Sequence, residues 1–157
     1  MLLPFFEWCE ATWLGQLVRD SLWLFPAIEA VHLLGLCLLG GALLVLDLRL
    51  LGVGLRKQSI AELARGAQPW LVGALGVMLV TGLPLFLSEA VKCYYNQSFW
   101  VKMTTLPIAL LFTFTVRQRM AVREGFDTSW RTRLLATASM LLWITVAAAG
   151  RWIGLSS

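Results

Sequence analysis

The sequence predicts an all-α, polytopic membrane protein: a four-transmembrane-helix bundle with an N-terminal interfacial segment. Two observations carry this. Hydrophobic residues fill 59% of the chain and charged residues 14%, against about 25% charged in soluble domains, and the mean hydropathy is +0.75. The apolar residues also fall into four runs able to cross a bilayer core of about 30 Å, with basic residues gathered between them. The net charge of +4 is therefore explained by orientation in the membrane, which argues against a nucleic-acid role. At 157 residues the chain is read as a single transmembrane domain, 1–157.

The elements follow in order. Residues 1–21 mix Phe5, Phe6, Trp8 and Trp13 with Glu7, Glu10, Arg19 and Asp20, and a helical wheel does not separate the two sets. They read as an interfacial segment with aromatics at headgroup depth. A secretory signal is not expected, because a basic start is missing and Glu7 and Glu10 interrupt the apolar stretch. The first span is 22–46. It is followed by Asp47-Leu48-Arg49-Leu50-Leu51-Gly52 and a polar connector with Arg56, Lys57, Glu62 and Arg65. Ser59 and Glu62 have capping-box spacing, which predicts a short surface helix starting near Ile60. Pro69 suits the first turn of the second span, 69–87, and Pro84 is expected to bend its far third.

The third span, 99–116, opens with Lys102 in its first turn. Arg117, Arg119, Arg123, Arg131 and Arg133 mark the next connector, where Gly125-Phe126-Asp127-Thr128 reads as a turn and helix N-cap. The fourth span is 134–152 and ends on Arg151-Trp152. The connectors after spans one and three hold nine Lys and Arg, and the opposite side holds four. This predicts a bacterial inner-membrane protein with both termini on the outer side.

Candidate chemistry sits in the outer half. Glu29 and His32, the only histidine, are three residues apart and share a helix face. Ionisable groups in hydrocarbon are costly, so they point into a bundle. At about 1.5 Å per helical residue, His32 lies roughly 15 Å deep, Glu29 roughly 10 Å, and Lys102 and Arg151 roughly 6 Å. The inner half offers no equivalent buried set.

His32 has two readings. It is an axial ligand to haem iron, with Gly35 leaving room for the macrocycle and Lys102 and Arg151 meeting the propionates. Or it is bonded across the bundle to Glu29 or a backbone carbonyl. With a single histidine, iron would be five-coordinate, or take a thioether such as Met78 or Met140, or share ligands across a homodimer. Glu29 is read as a structural partner of Lys102 or Arg151, or else as a proton relay. Asp47 and Arg49 are read as a helix-end charge network. Cys9 and Cys93 fall on the outer side, where disulfides persist, and are expected to bridge; Cys37 is expected in the core. Gly150 and Gly154 match a helix-dimer pattern.

The pattern Trp23-x-x-Pro26-x-x-Glu29-x-x-His32-x-x-Gly35, the Asp47–Gly52 block, Pro69-Trp70, Thr81-Gly82 and Phe99-x-x-Lys102 resembles an uncharacterised family of small four-helix bacterial inner-membrane proteins over about 22–120. A looser likeness extends to the copper-resistance D type membrane proteins and the bacterial haem-containing protoporphyrinogen oxidase. That likeness implies haem b, with His32 and Lys102 as the important pair. The expected function is a membrane-embedded haem b protein for electron transfer or a coupled oxidation near the outer leaflet, with His32, Glu29, Lys102 and Arg151 at the cofactor. The alternative is a non-enzymatic membrane subunit or permease-like component, in which Glu29, His32 and Lys102 form a polar lock. The expected partners are the lipid bilayer and a redox partner or second copy of the chain.

Overall fold

The computed structural model describes residues 2–53, 57–123 and 129–155. Among these, every regular element is helical. Four helices are long and apolar enough to cross a membrane: Leu24–Leu50, Ile60–Ser88, Gln97–Ala121 and Trp130–Leu155. In chain order the elements are α1 (Leu3–Glu10), α2 (Trp13–Asp20), α3 (Leu24–Leu50), α4 (Ile60–Ser88), α5 (Ala90–Tyr95), α6 (Gln97–Leu111), a π-helical segment (Phe112–Arg117), α7 (Gln118–Arg123) and α8 (Trp130–Leu155). α3 packs against α4 and α8, and α6 packs against α8.

Mid-span residues such as Leu34 (70% exposed) and Val80 (75%) point outward. That surface would aggregate in water and is at home against lipid tails. Inside, Leu39, Leu43, Leu71, Ala74, Trp143 and Val146 form the central core. Leu46, Leu50, Ile60, Ala64, Ala121 and Ala136 form a second cluster at the end where the connectors lie.

The N-terminal segment is two helices, which explains why one helical wheel could not sort it. Thr12 breaks the run and caps α2, its hydroxyl accepting from the Gly15 amide at 3.3 Å. Phe6 of α1 is buried among Phe86, Tyr94, Phe99 and Trp100, while Trp8 and Trp13 stay exposed. Glu10 accepts from the Val91 amide at 2.8 Å and pairs with Arg19, so α1, α2 and α5 are tied by charge as well as by rings. α2 lies very close to α4: a Cβ on Gly15 would fall 2.6 Å from the Leu87 carbonyl oxygen.

Several expectations are corrected. The surface helix near Ile60 and the second span are one helix. The Ser59–Glu62 capping box is present, but burial of Ile60 and Ala64 carries the helix straight through Pro69, which is not its first turn. The third membrane-crossing helix runs past 116 to Ala121. The first span extends to Leu50 and ends in a Schellman motif. Gly52 adopts φ 80°, its amide reaches Arg49 O at 3.0 Å, and the Val53 amide reaches Leu48 O at 2.9 Å, closing the last carbonyls as this cap requires. The expected turn at Gly125-Phe126-Asp127-Thr128 and Arg56 lie outside the described residues.

Cys9 and Cys93 are free thiols. They share one buried cluster with Phe6, Ala90 and Phe99, so ring packing, not a covalent bridge, joins α1 to α5. Cys37 is exposed, beside an open groove with Gly41 and Trp70, and is not a core residue. Burial pushes the Cys93 thiol from an ordinary 9.0 up to about 11; Glu89 adds to this, while Lys102 and Lys92 oppose it.

Two outcomes are expected. Gly15→Ala must displace backbone, and an overpacked contact of this kind costs about 1–3 kcal/mol, read as a lower thermal midpoint in detergent. Titration of denatured protein should count three thiols, and alkylation of Cys93 in the folded protein should follow an ionisation near 11 rather than 9. A count of one would restore the bridge.

Candidate functional site

At the end of the bundle that carries α1 and α2, a cavity of about 200 Å³ is lined by Glu29, His32, Lys102 and Arg151 together. The four residues come from α3, α6 and α8. Met78, Gly82, Phe86, Glu89, Cys93, Phe99 and Gly150 complete much of its wall.

His32 on α3 meets α4: its Nδ1 lies 2.8 Å from Thr81 Oγ1, and Thr81 Oγ1 donates to Val77 O at 2.6 Å. The ring is close enough to α4 that a Cβ on Gly82 would stand 3.2 Å from its Cε1. Lys102 on α6 approaches α8 in the same manner: a Cβ on Gly150 would come 3.3 Å from Nζ. Each of the two polar side chains therefore rests where a neighbouring helix has a glycine. Glu29 pairs with Arg151 at 3.9 Å, both partly exposed, a contact worth roughly 0–1 kcal/mol.

Glu29, His32 and Lys102 make no hydrogen bond or ion pair with one another. Of the partners expected for Glu29, Arg151 is the one observed. His32 bonds neither to Glu29 nor to a carbonyl, and Thr81, named from the sequence only in the Thr81-Gly82 pair of the resemblance, is its partner. Among the described residues Lys102 has no hydrogen-bond or ion-pair partner, and His32 has none beyond Thr81.

Two details of the expected haem site change. Gly35 does not leave a slot, since its Cβ position is 3.1 Å from Val77 Cγ1 and 3.5 Å from Met78; it serves close packing of α3 on α4. Met78 lines the cavity and Met140 does not. Gly150 and Gly154, spaced as in a helix-dimer pattern, both line the cavity.

The opposite half is not empty of buried charge, contrary to expectation. Arg117, assigned to a connector, is 0% exposed and Asp47 1%. Arg117 Nε donates to Asp47 Oδ1 at 2.6 Å, and Nη2 to Leu43 O at 2.9 Å. Ser139 Oγ donates to Asp47 Oδ2 at 2.8 Å. Nη1 is buried without a partner among the described residues. Arg49 does not join Asp47; its Nε donates to Gln58 O at 3.0 Å and anchors the connector. The signal in the sequence was an acid and a base at equal depth, Asp47 ending one span and Arg117 ending another. The π-helical turn at Phe112–Arg117, where Thr113 accepts from Trp143 Nε1 at 2.9 Å, has no such signal.

The family model described as a family of unknown function, DUF6644, matches residues 5–156. The chain belongs to this family. The match takes in the N-terminal helices and the last span, both outside the resemblance drawn from motifs. No curated protein and no solved structure matches the chain, so the looser likeness to copper-resistance D type proteins and the haem-containing oxidase rests on His32, Thr81-Gly82 and Lys102 alone. The Asp-Leu-Arg-Leu-Leu-Gly block of this DUF6644 chain now has a physical reading. Asp47 takes Arg117 and Ser139, Arg49 holds the connector, Leu50 fills the core, and Gly52 stops the helix.

Removing one partner of a buried ion pair strands the other charge, at about 3–5 kcal/mol. Asp47→Ala is therefore expected to lower folded yield and thermal midpoint sharply. The double variant Asp47→Ala, Arg117→Met should recover much of the loss, and thermal melts of wild type, Asp47→Ala, Arg117→Met and the double variant in one detergent measure the coupling.

Proposed function

We propose that the protein is a membrane-embedded cofactor-binding protein, with His32 and Lys102 as the residues that meet the ligand. What supports this over a structural polar lock is one observation: the cavity is lined by an imidazole nitrogen and an ammonium without partners among the described residues. Polar groups at such depth are costly unless satisfied, and a bound group would satisfy both.

Haem b is the cofactor this donor set suits. Imidazole is a common iron ligand, and a propionate would answer Lys102. Arg151 is already paired with Glu29, so it would serve at the rim as a second cation whose partner can exchange. The donor chemistry fits. The cavity, at about 200 Å³, is below the roughly 300–1,000 Å³ of pockets that enclose drug-sized ligands, so a macrocycle enters only if the lining helices part. Bound haem would supply one-electron transfer. The chain's own contribution is to present Nε2 of His32, to neutralise an anionic group at Lys102, and to keep water out with Phe86, Phe99 and Met78.

The distribution of Lys and Arg supports a place in the bacterial inner membrane, both termini and the cavity on the outer side. A redox partner would then approach from that side, or a second copy through the bilayer.

Protein purified from haem-replete cells is expected to show a Soret band that is lost in His32→Ala and weakened in Lys102→Met. A colourless, folded wild-type protein overturns the haem reading.

A further inference from the structure

We propose that Thr81 is a positioning residue: it holds His32 in the tautomer with the proton on Nδ1, so that Nε2 offers a lone pair to the cavity. The inference deepens the reading that His32 meets the ligand and rests on it for its purpose, although not for its geometry.

A hydroxyl has one proton to donate. That of Thr81 goes to Val77 O at 2.6 Å, one turn back in its own helix, a common fate of threonine in a helix interior. The oxygen is then an acceptor for the other close contact, 2.8 Å to His32 Nδ1, and Nδ1 must be the donor. A neutral imidazole carries a single N–H, which leaves Nε2 unprotonated. Nothing competes for the opposite arrangement. Glu29, the nearest acid in the sequence, is paired with Arg151, and Lys102, which lines the same cavity, would as an ammonium favour a lone pair over an N–H. Gly82 completes the seat, for a Cβ there would come within 3.2 Å of Cε1 and push the ring away from Thr81.

The consequence is a ligand specification. At His32 the cavity takes an electron-pair acceptor, such as a metal centre or an N–H or O–H donor, and at Lys102 it takes an anion. A carbonyl oxygen facing Nε2 would be repelled. Histidines that bind metals commonly donate their second ring nitrogen to a fixed acceptor, which orients the ring and raises its basicity. Thr81 occupies that position.

Because the chain has one histidine, nitrogen NMR of histidine-labelled, ligand-free protein in nanodiscs reports one ring. In alkaline buffer, where the ring is neutral, the wild type is expected to show the Nδ1–H form. Thr81→Val should reduce the Nδ1–H to Nε2–H ratio by several-fold to about tenfold, the worth of one net hydrogen bond, and Thr81→Ser should restore it. A wild-type ring protonated on Nε2 overturns the proposal without need of any variant, and so does an unchanged ratio in folded Thr81→Val. The two readings fail separately. Colourless protein with an Nδ1–H ring defeats haem and leaves Thr81 in place, whereas a Soret band on protein whose free ring is Nε2–H defeats the role of Thr81 alone.

Discussion

Arg117 and Asp47 meet at 2.6 Å with almost no exposure, and the two halves of the bundle are best understood from that contact. An isolated ion in hydrocarbon is prohibitively expensive, so the third membrane-crossing helix must lie where Arg117 can reach Asp47 in the last turn of α3. Ser139 of α8 takes the remaining carboxylate oxygen, and three helices are thereby held in one register. The apolar clusters on either side can then pack without being asked to specify which helix neighbours which, a task that lipid-soluble surfaces perform poorly because tails and leucines are equally apolar.

The opposite end of the bundle follows a different economy. There the polar groups are His32, Lys102, Glu29 and Arg151 around one cavity, and they are not collected into a closed network. Glu29 and Arg151 touch loosely at the rim. His32 uses one nitrogen on Thr81, and Lys102 sits against the bare face of Gly150. At one end Arg117 and Asp47 pair with each other, with Nη1 alone lacking a partner among the described residues, whereas at the other His32 and Lys102 face the cavity without being paired to each other. The N-terminal helices cover the same end, with Phe6 seated in a nest of rings above it.

Much of this site was legible in the sequence because the relevant quantity is depth. Counting residues from the end of an apolar run places Glu29, His32, Lys102 and Arg151 in one half of the membrane, and the helices do bring them to one cavity. Partner choice was not legible. Thr81 entered only as half of a Thr81-Gly82 pair with no partner assigned, since a threonine serves either its own helix or a neighbour, and here it serves both. Gly35 looked like a space for a ligand, yet Val77 and Met78 fill it. The disulfide failed for a related reason: Cys9 and Cys93 enter the same cluster, but sharing a cluster is a weaker condition than the narrow Cα separation and angles that an S–S bond demands.

By itself the sequence determined the class, the four apolar spans and the polar content of the half that holds His32, because transfer of apolar and charged groups from water to lipid is additive along a chain and needs no knowledge of neighbours. It placed the end of the first span at 46, short of the stop at Gly52, where a backbone at φ 80° favours a residue without a Cβ. Only the tertiary structure decided that Arg117 turns inward, that α4 continues through Pro69, and that Thr81 and Gly82 form the seat of His32. These depend on which helix faces which, and a long flexible side chain or a small residue is compatible with many neighbours until packing selects one.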